Sequence, residues 1–338
     1  MASTNGRGES MSVGSGVAIG ESGVGTRLRY GVIGSGALGG YYGGLMARAG
    51  LDVHFLFHSD YAFVREHGLR VDSKNGDFYL PQVQAYEQVG QMPALDVVIL
   101  GMKSTQNHLL AELLAPWKST NTLVLVLQNG LHVEEAAYAL VGEGRVAGGC
   151  CFLCSNKVGP GHIRHLDYGR IVFGGYRGIS ETGKVPPRDL LEQIQRDMNF
   201  ATIECHLTDD LPTTKWKKLM WNIPFNGLSV ILNASTDTIM KDPDSRLLAR
   251  RISEEVRQIA CRTGSEIEPG YVDWVIDHTD DMVPYDSSMR LDFLNGRPIE
   301  VEAIHGNALR AAQRQGVAAP ILETLYEQLK FLAAHRGN

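Results

Sequence analysis

The stretch Tyr30-Gly31-Val32-Ile33-Gly34-Ser35-Gly36-Ala37-Leu38-Gly39 decides the fold of this chain. A short apolar run, typical of a buried strand, leads directly into three spaced glycines, and helical sequence follows to about residue 49. The G-x-G-x-x-G spacing between a strand and a helix is typical of loops that bind a dinucleotide. Gly34 would allow the tight turn, Gly36 the approach of a pyrophosphate, and Gly39 the close packing of helix on strand.

The loop is therefore predicted to bind a dinucleotide cofactor. The predicted contact residues are Gly34, Ser35, Gly36, Ala37, Leu38 and Gly39. Unpaired N–H groups at the start of the helix would point at the anion. The alternative is a glycine-rich turn that binds no ligand.

Strand and helix patterns alternate from residue 30 to about residue 205. Apolar runs predict buried strands at residues 52–57, 96–100 and 122–127, with a helix over 104–117. Asn75-Gly76 is typical of a hairpin turn, and Tyr168-Gly169 is predicted as a further turn. This alternation predicts a parallel sheet with helices on both faces.

Helical periodicity replaces the strand pattern after about residue 208. Helices are predicted over residues 211–232, 245–263, 270–281, 299–315 and 321–334. The predicted fold class is therefore α/β, with an N-terminal Rossmann-type dinucleotide-binding domain followed by an all-helical C-terminal domain. The predicted divisions are a disordered Gly/Ser-rich leader at 1–28, a dinucleotide-binding domain at 29–208 and a helical domain at 209–334.

The composition excludes several classes of protein. Of the 338 residues, 43% are hydrophobic and 21% are charged, which is typical of globular proteins and argues against extensive disorder. The net charge of −6 argues against a general nucleic-acid binder, which needs clustered Lys and Arg. No segment approaches the roughly 18 apolar residues of a membrane span. The predicted partner is a small molecule, and the oligomeric state stays open, a homodimer included.

Five cysteines in a chain of this length do not form a disulfide framework and indicate a reducing compartment, the cytoplasm. Cys151-x-x-Cys154 raises the question of a metal site, but structural zinc needs four closely spaced ligands. No second cysteine pair lies nearby, and His162 and His165 are assigned to a separate hairpin-like stretch. We therefore predict buried strand cysteines and no metal.

The end of the second strand, Phe57-His58-Ser59-Asp60, bears on the choice of cofactor. An acidic residue at the strand tip would bind the ribose 2′-hydroxyl of NAD, whereas a basic one accommodates the 2′-phosphate of NADP. No carboxylate stands at the tip, and His58 and Ser59 can both donate hydrogen bonds. This pattern favours NADPH, the alternative for His58 being a solvated loop histidine.

The segment from residue 214 to residue 226 contains the second informative pattern. Lys218, Asn222 and Asn226 recur at i, i+4 and i+8, which places them on one helix face. Aromatic and aliphatic neighbours should partly bury these polar groups, so they need partners that a substrate rich in oxygen would supply. The alternative is a solvent-facing stripe of lysines, which is plausible for two of Lys215, Lys217 and Lys218. Pro224 should remove one backbone hydrogen bond and bend the helix.

Taken together, several motifs resemble the ketopantoate reductase (2-dehydropantoate 2-reductase) family. Besides the glycine loop, they are Gly101-Met102-Lys103-Ser104, Gln128-Asn129-Gly130, Trp216-Lys217-Lys218-Leu219-x-x-Asn222-x-x-x-Asn226, and Ser287-Ser288-Met289 followed by Glu300. The resemblance spans residues 30–332 and implies NADPH-dependent reduction of 2-dehydropantoate to (R)-pantoate, on the route to pantothenate and coenzyme A. It also implies an active site in the cleft between the two domains.

The resemblance also implies a role for each matching residue. The proton-donating lysine of the family falls on Lys218. The cofactor-binding residues outside the glycine loop fall on Lys103, Asn129 and Glu300, and the substrate-binding residues on Asn129, Asn222, Asn226 and Ser288. Glu300 has a simpler interpretation as an acid that favours the start of a helix.

Three features depart from the family pattern, one of which is the leader before Tyr30, for which the family has no counterpart. Many members have arginine where this chain has His58, which weakens the predicted phosphate site by one bidentate donor. Pro224 interrupts the turn between the two asparagines, where many members have a helix former. Two alternative functions stay open: reduction of a related 2-oxo acid on the same fold, and a catalytically silent NADPH-binding sensor.

Overall fold

The computed structural model describes residues 27–282 and 286–335. The predicted leader therefore lies outside the described residues except for residues 27 and 28. The strands are β1 (Arg29–Ile33), β2 (Asp52–Leu56), β3 (Leu69–Ser73), β4 (Phe78–Leu80), β5 (Gln84–Tyr86), β6 (Val97–Leu100), β7 (Leu123–Val126), β8 (Val146–Gly159), β9 (His162–Gly175) and β10 (Cys205–Leu207).

The α-helices follow the same chain order. They are α1 (Ala37–Arg48), α2 (Tyr61–His67), α3 (Leu110–Leu113), α4 (Glu135–Val141), α5 (Arg188–Phe200), α6 (Leu211–Ile231), α7 (Thr236–Lys241), α8 (Pro243–Arg262), α9 (Gly270–Asp280), α10 (Ser288–Leu294), α11 (Asn307–Arg314) and α12 (Pro320–Ala334). A π-helical turn, Glu302–Gly306, leads into α11.

The ten strands form one sheet in the order β4-β3-β9-β8-β7-β6-β1-β2-β5, with β10 also beside β9. The run from β5 to β8 is entirely parallel. Strands β6 and β7 are buried along their whole length because side chains pack on both faces of the sheet, which explains their uninterrupted apolar sequence. The predicted α/β fold class is confirmed.

Strands β8 and β9 form a long antiparallel hairpin whose turn lies at Pro160-Gly161. The predicted turn at Tyr168-Gly169 is wrong, because these residues lie inside β9. Both have positive φ, 61° and 137°, and the register shifts opposite them, so they form a β-bulge. The separation of His165 from the cysteine strand is also wrong, since His165 pairs with Ser155 of β8.

The predicted helix over residues 104–117 is only partly correct. It consists of a 3₁₀ helix, Ser104–Leu109, the single turn α3 and a second 3₁₀ turn, Ala115–Trp117. Pro116 near the end lacks an N–H, which keeps a regular helix from continuing.

The C-terminal part is helical, as predicted. Strand β10 ends at Leu207 and α6 begins at Leu211, where Asp210 caps it by accepting a hydrogen bond from the Thr213 amide. The helices surround their own apolar core, centred on α6 and α8, whereas two further cores cover the faces of the sheet. The short helices α7 and α10 have no counterpart in the sequence-based prediction.

Helix α6 runs through Pro224 without interruption. Proline has no N–H, so the carbonyl of Met220, four residues earlier, loses its usual partner. The fully buried hydroxyl of Ser253 on α8 donates to that oxygen at 2.7 Å. A side chain of the neighbouring helix therefore replaces the missing backbone bond.

Candidate active site

A cleft of about 1980 Å³ lies between the glycine loop and the helices α6, α9 and α10. Twelve of the thirteen predicted site residues line it. They are Gly34, Ser35, Gly36, Ala37, Leu38, Lys103, Asn129, Lys218, Asn222, Asn226, Ser288 and Glu300. Gly39 is buried and lies outside the lining. The N-terminal and C-terminal parts of the chain thus both contribute residues to this cleft.

The three glycines of the loop meet different surroundings. Gly34 has a φ of +90°, and a Cβ atom there would lie 2.3 Å from the Met102 amide nitrogen. A Cβ on Gly39 would lie 2.4 Å from the Gly34 carbonyl oxygen, so this glycine permits the close packing of α1 on β1. A Cβ on Gly36 would meet no protein atom within 4 Å. Gly36 therefore leaves open space at the N-terminus of α1, which has no side-chain cap, as an approaching pyrophosphate requires.

The tip of β2 offers no free carboxylate to a ribose. Asp60 is buried, lies 2.6 Å from the Lys157 ammonium and accepts a hydrogen bond from the Gly161 amide. Although burial alone would raise the pKa of Asp60, these partners lower it overall. His58 and Ser59 are exposed on the cleft wall, but the Ser59 hydroxyl already donates to Asp60 at 3.0 Å.

Lys218 projects from α6 towards the sheet. Its ammonium donates to the Asn129 side-chain oxygen at 2.6 Å and to the Cys151 carbonyl oxygen at 2.7 Å. An ammonium group has three N–H donors, and no third acceptor binds it within the described part of the chain. One donor is therefore left for a ligand in the cleft.

The surroundings of Lys218 favour the loss of its proton. Burial lowers its pKa, and the neighbouring cation of Lys215 acts in the same direction. The Cys150 and Cys151 thiols and the Glu300 carboxylate act in the opposite direction, but they do not outweigh burial. A lysine whose pKa lies below its usual value is a better proton donor near neutral pH.

Asn222 and Asn226 follow Lys218 along the cleft-facing side of α6, as the spacing predicts. Both are buried, and Asn226 is only 2% exposed. The side-chain oxygen of Asn226 has no hydrogen-bond partner within the described residues. Buried polar atoms are nearly always paired, so this oxygen marks a place where a ligand hydroxyl or amide would bind.

The loop that carries Asn129 is fixed by the π-helical turn. Gly130 has a φ of +117°, and a Cβ there would lie 2.5 Å from the Ala303 carbonyl oxygen. That oxygen accepts a hydrogen bond from the Leu131 amide, and the Asn307 side chain donates to the Leu131 carbonyl. Ala303 belongs to the π turn, so that turn holds the loop through the Leu131 amide.

Glu300 and Lys103 link the two sides of the cleft. The Glu300 carboxylate is buried and accepts hydrogen bonds from the Ser104 amide and hydroxyl at 2.8 and 2.7 Å. Glu300 directly precedes the helix that contains the π turn. Its carboxylate nevertheless binds Ser104, in the segment that follows β6. The Lys103 ammonium pairs with Asp292 of α10 and lies 3.9 Å from Glu300.

Lys215 corrects one part of the sequence interpretation. A solvent-facing stripe was plausible for two of the three lysines, but Lys215 is only 5% exposed and pairs with buried Glu134 at 2.5 Å. Of the other two lysines, Lys217 places its ammonium 5.2 Å from the centre of the Tyr271 ring on α9. Local spacing could not reveal Glu134, which directly precedes α4 in the N-terminal part of the chain.

Cys150, Cys151 and Cys154 are buried in β8, as predicted. Within residues 27–282 and 286–335, no three His, Cys, Asp or Glu side chains group as metal ligands would. No helix in the same residues is both long and apolar enough to cross a membrane.

Models of two protein families match the chain in sequence. Residues 30–178 match the family described as "Ketopantoate reductase PanE/ApbA", and residues 210–333 match "Ketopantoate reductase PanE/ApbA C terminal". A 2-dehydropantoate 2-reductase of Nostoc sp. is 50% identical over 305 residues, which is 90% of this chain and 95% of that protein.

Solved structures agree with this match. The crystal structure of 2-dehydropantoate 2-reductase from Geobacter metallireducens superposes with a TM-score of 0.84 and 40% identity, covering 90% of this chain and 99% of that one. A D-mandelate dehydrogenase in complex with NADH and anilino(oxo)acetate has a TM-score of 0.81 at 19% identity, covering 91% and 98%. The latter likeness shows a shared fold.

Proposed function

Because the chain belongs to the ketopantoate reductase family, we propose that it reduces 2-dehydropantoate to (R)-pantoate with NADPH. The reaction would serve the synthesis of pantothenate and coenzyme A. The observation that carries the proposal is the position of the Lys218 ammonium. It lies in the cleft, two of its donors are bound to Asn129 and Cys151, and one is left for a substrate oxygen.

The chemistry requires few groups. NADPH supplies the hydride when bound. Lys218 stabilises the negative charge that develops on the keto oxygen and then donates its proton to that oxygen. Its two fixed hydrogen bonds hold the ammonium in position before the reaction, so little reorganisation is needed.

The remaining residues would bind and orient the ligands. Asn222, Asn226 and Ser288 would hold the carboxylate, the keto group or the hydroxyl of the substrate. Asn129 would hold the nicotinamide end of the cofactor and Lys218 in register. Ser288 is suited to this role because Ser287 caps α10 through the Arg290 amide and so fixes the turn at the cleft wall.

The cofactor would lie along the glycine loop. Gly36 leaves room for the pyrophosphate, and the uncapped N-terminus of α1 would bind it. NADPH is preferred over NADH in this proposal because Asp60 is engaged by Lys157, while His58 faces the cleft. Lys103 and Glu300 would contact the cofactor from the opposite side, where Lys103 would exchange Asp292 for a phosphate.

We also propose the division of labour between the two parts of the chain. Residues 29–208 would form the domain that binds the cofactor, and residues 209–334 the domain that binds the substrate. A homodimer stays a prediction, which sedimentation velocity would test.

The experiment follows the loss of NADPH absorbance with 2-dehydropantoate and with a panel of other 2-oxo acids, and then repeats both with NADH. Selective turnover of 2-dehydropantoate with NADPH would support substrate and cofactor together. Equal rates across the panel would instead favour a reductase of related 2-oxo acids. NADPH binding without any turnover would favour a sensor.

A further inference from the structure

The Lys215–Glu134 ion pair lies at the junction of the two catalytic segments. Lys215 precedes Lys218 by one turn of α6, and Glu134 ends the loop that carries Asn129. The Lys215 ammonium lies 2.5 Å from the Glu134 carboxylate, and the two residues are 5% and 1% exposed. The pair thus spans the same gap as the hydrogen bond between Lys218 and Asn129.

The backbone beside this ion pair leaves space for the Glu134 carboxylate. A Cβ on Gly148 of β8 would lie 2.3 Å from a Glu134 carboxylate oxygen, so a larger residue there would displace that carboxylate. Burial alone would lower the pKa of Lys215, but Glu134 together with Cys150 and Cys151 outweighs that effect and the pKa is raised. Lys215 therefore stays a cation. Nearby His132 stays neutral, because burial, Arg314 and Lys215 lower its pKa to about 4.

A buried ion pair is rarely needed for stability alone. The cost of removing two charges from water often equals or exceeds their attraction, and apolar replacements are often neutral or stabilising. The position of this pair, one helical turn from Lys218, instead points to the reaction. Residues three apart on a helix face one another, so the Lys215 charge acts directly on the Lys218 ammonium.

We infer that Lys215 and Glu134 are positioning residues, which hold the Lys218 ammonium against Asn129 and supply the nearby positive charge that makes it a ready proton donor. This inference rests on the proposed function. Among the described residues, the groups that act most strongly on Lys218 are Lys215 on its own helix, Cys150 and Cys151 on β8, and Glu300 across the cleft, with Glu134 beyond Lys215. Of these, Lys215 supplies the positive charge.

The test is the pH profile of kcat/KM for 2-dehydropantoate, which reports the free enzyme. Only protonated Lys218 can donate, so activity falls at alkaline pH as the proton is lost. Lys215→Met removes the cation and should move this fall to higher pH by on the order of one unit. Lys215→Arg keeps a cation opposite Glu134 and should leave the fall near its original pH.

The double variant K215M/E134Q protects the test against misfolding, because it leaves no unpaired buried charge. Its alkaline fall should also lie above that of the unaltered enzyme, and no higher than that of Lys215→Met, since Glu134 no longer favours the Lys218 cation. Glu255→Gln is the matched control. Buried Glu255 accepts hydrogen bonds from the Ile321 and Leu322 amides at the start of α12, so this change should lower the melting temperature and leave the profile in place.

The outcomes separate this inference from the proposed function. If the alkaline fall stays in place in both Lys215→Met and the double variant while Lys218→Ala is inactive, the pair is merely structural and the inference is overturned. If Lys218→Ala keeps its activity, the proposed role of Lys218 fails first. A shift to higher pH in both Lys215→Met and the double variant, with the original profile kept in Lys215→Arg, supports the inference, and a shift in Lys215→Met alone would overturn it by assigning the effect to the unpaired Glu134 carboxylate.

Discussion

The glycine loop and the polar face of α6 form opposite walls of one cleft, yet they are built in different ways. The loop offers backbone amides and empty space, and its three glycines do their work by lacking side chains. The α6 face offers side chains that depend on groups from elsewhere in the chain. Lys218 lines the cleft and binds Asn129, and Lys215, buried one turn earlier, pairs with Glu134. A substitution in the glycine loop should therefore affect one contact, whereas a substitution on the α6 face should also affect the partner of the altered side chain.

The largest expected effect is that of Lys218→Ala. Loss of a general acid typically costs about 10²–10⁴-fold, and turnover of 2-dehydropantoate should fall by at least this range. Lys217→Ala is the matched control, because the ammonium of this neighbour lies 5.2 Å from the centre of the Tyr271 ring. Steady-state kinetics and far-UV circular dichroism would check both. Near-normal turnover in the folded Lys218→Ala variant would contradict the proposal.

The second effect separates two glycines of the loop. Gly36→Ala should leave the free energy of unfolding almost unchanged, because the new Cβ meets no protein atom, but it should crowd the pyrophosphate. Overpacking typically costs about 1–3 kcal/mol, so the Kd for NADPH should rise about tenfold to a hundredfold.

Gly39→Ala should act in the opposite way. Its Cβ would clash with the Gly34 carbonyl oxygen, so stability should fall even without cofactor. Isothermal titration calorimetry and urea unfolding would measure the two quantities. Equal losses of stability in both variants would show that Gly36 is a packing residue.

Parts of the fold and of the candidate site can be predicted from the sequence alone. The spacing of Gly34, Gly36 and Gly39 predicts the loop, and uninterrupted apolar runs predict β6 and β7, because both signals are local. The Tyr168-Gly169 pair was misassigned because turns and bulges share a need for positive φ. Lys215 gave no local sign of burial, since its partner Glu134 reaches it only in the folded chain.

The third effect concerns the backbone of the α6 wall. Ser253→Ala should lower the free energy of unfolding by about 1–3 kcal/mol, because the Met220 carbonyl would be left buried without a donor. The same change in a P224A background should cost less, since alanine supplies the missing N–H. Chemical denaturation of the four proteins in this double-mutant cycle measures the coupling. Equal costs in both backgrounds would disprove the compensation between Ser253 and Pro224.

The smallest effect is expected at the loop wall, where His58→Arg adds a bidentate donor for a 2′-phosphate. The ratio of kcat/KM with NADPH to that with NADH should rise by about tenfold, which corresponds to about 1.4 kcal/mol. His206→Arg places the same charge at an exposed position of β10, outside the cleft lining, and should leave the ratio unaltered. An equal rise in both variants would point to a general charge effect.

The position of Glu300 depends on the number of residues in the π-helical turn Glu302–Gly306. Such turns usually contain one more residue than the regular helix around them. Deleting a residue there would let the helix close into ordinary α geometry, with 3.6 residues per turn, and would swing everything upstream by about 100° around the axis. Glu300 would then leave Ser104, and Ala303 would no longer meet Leu131, although every side chain named in the cleft would still be present. In this segment, a change in spacing would therefore damage the site more than most changes of residue type.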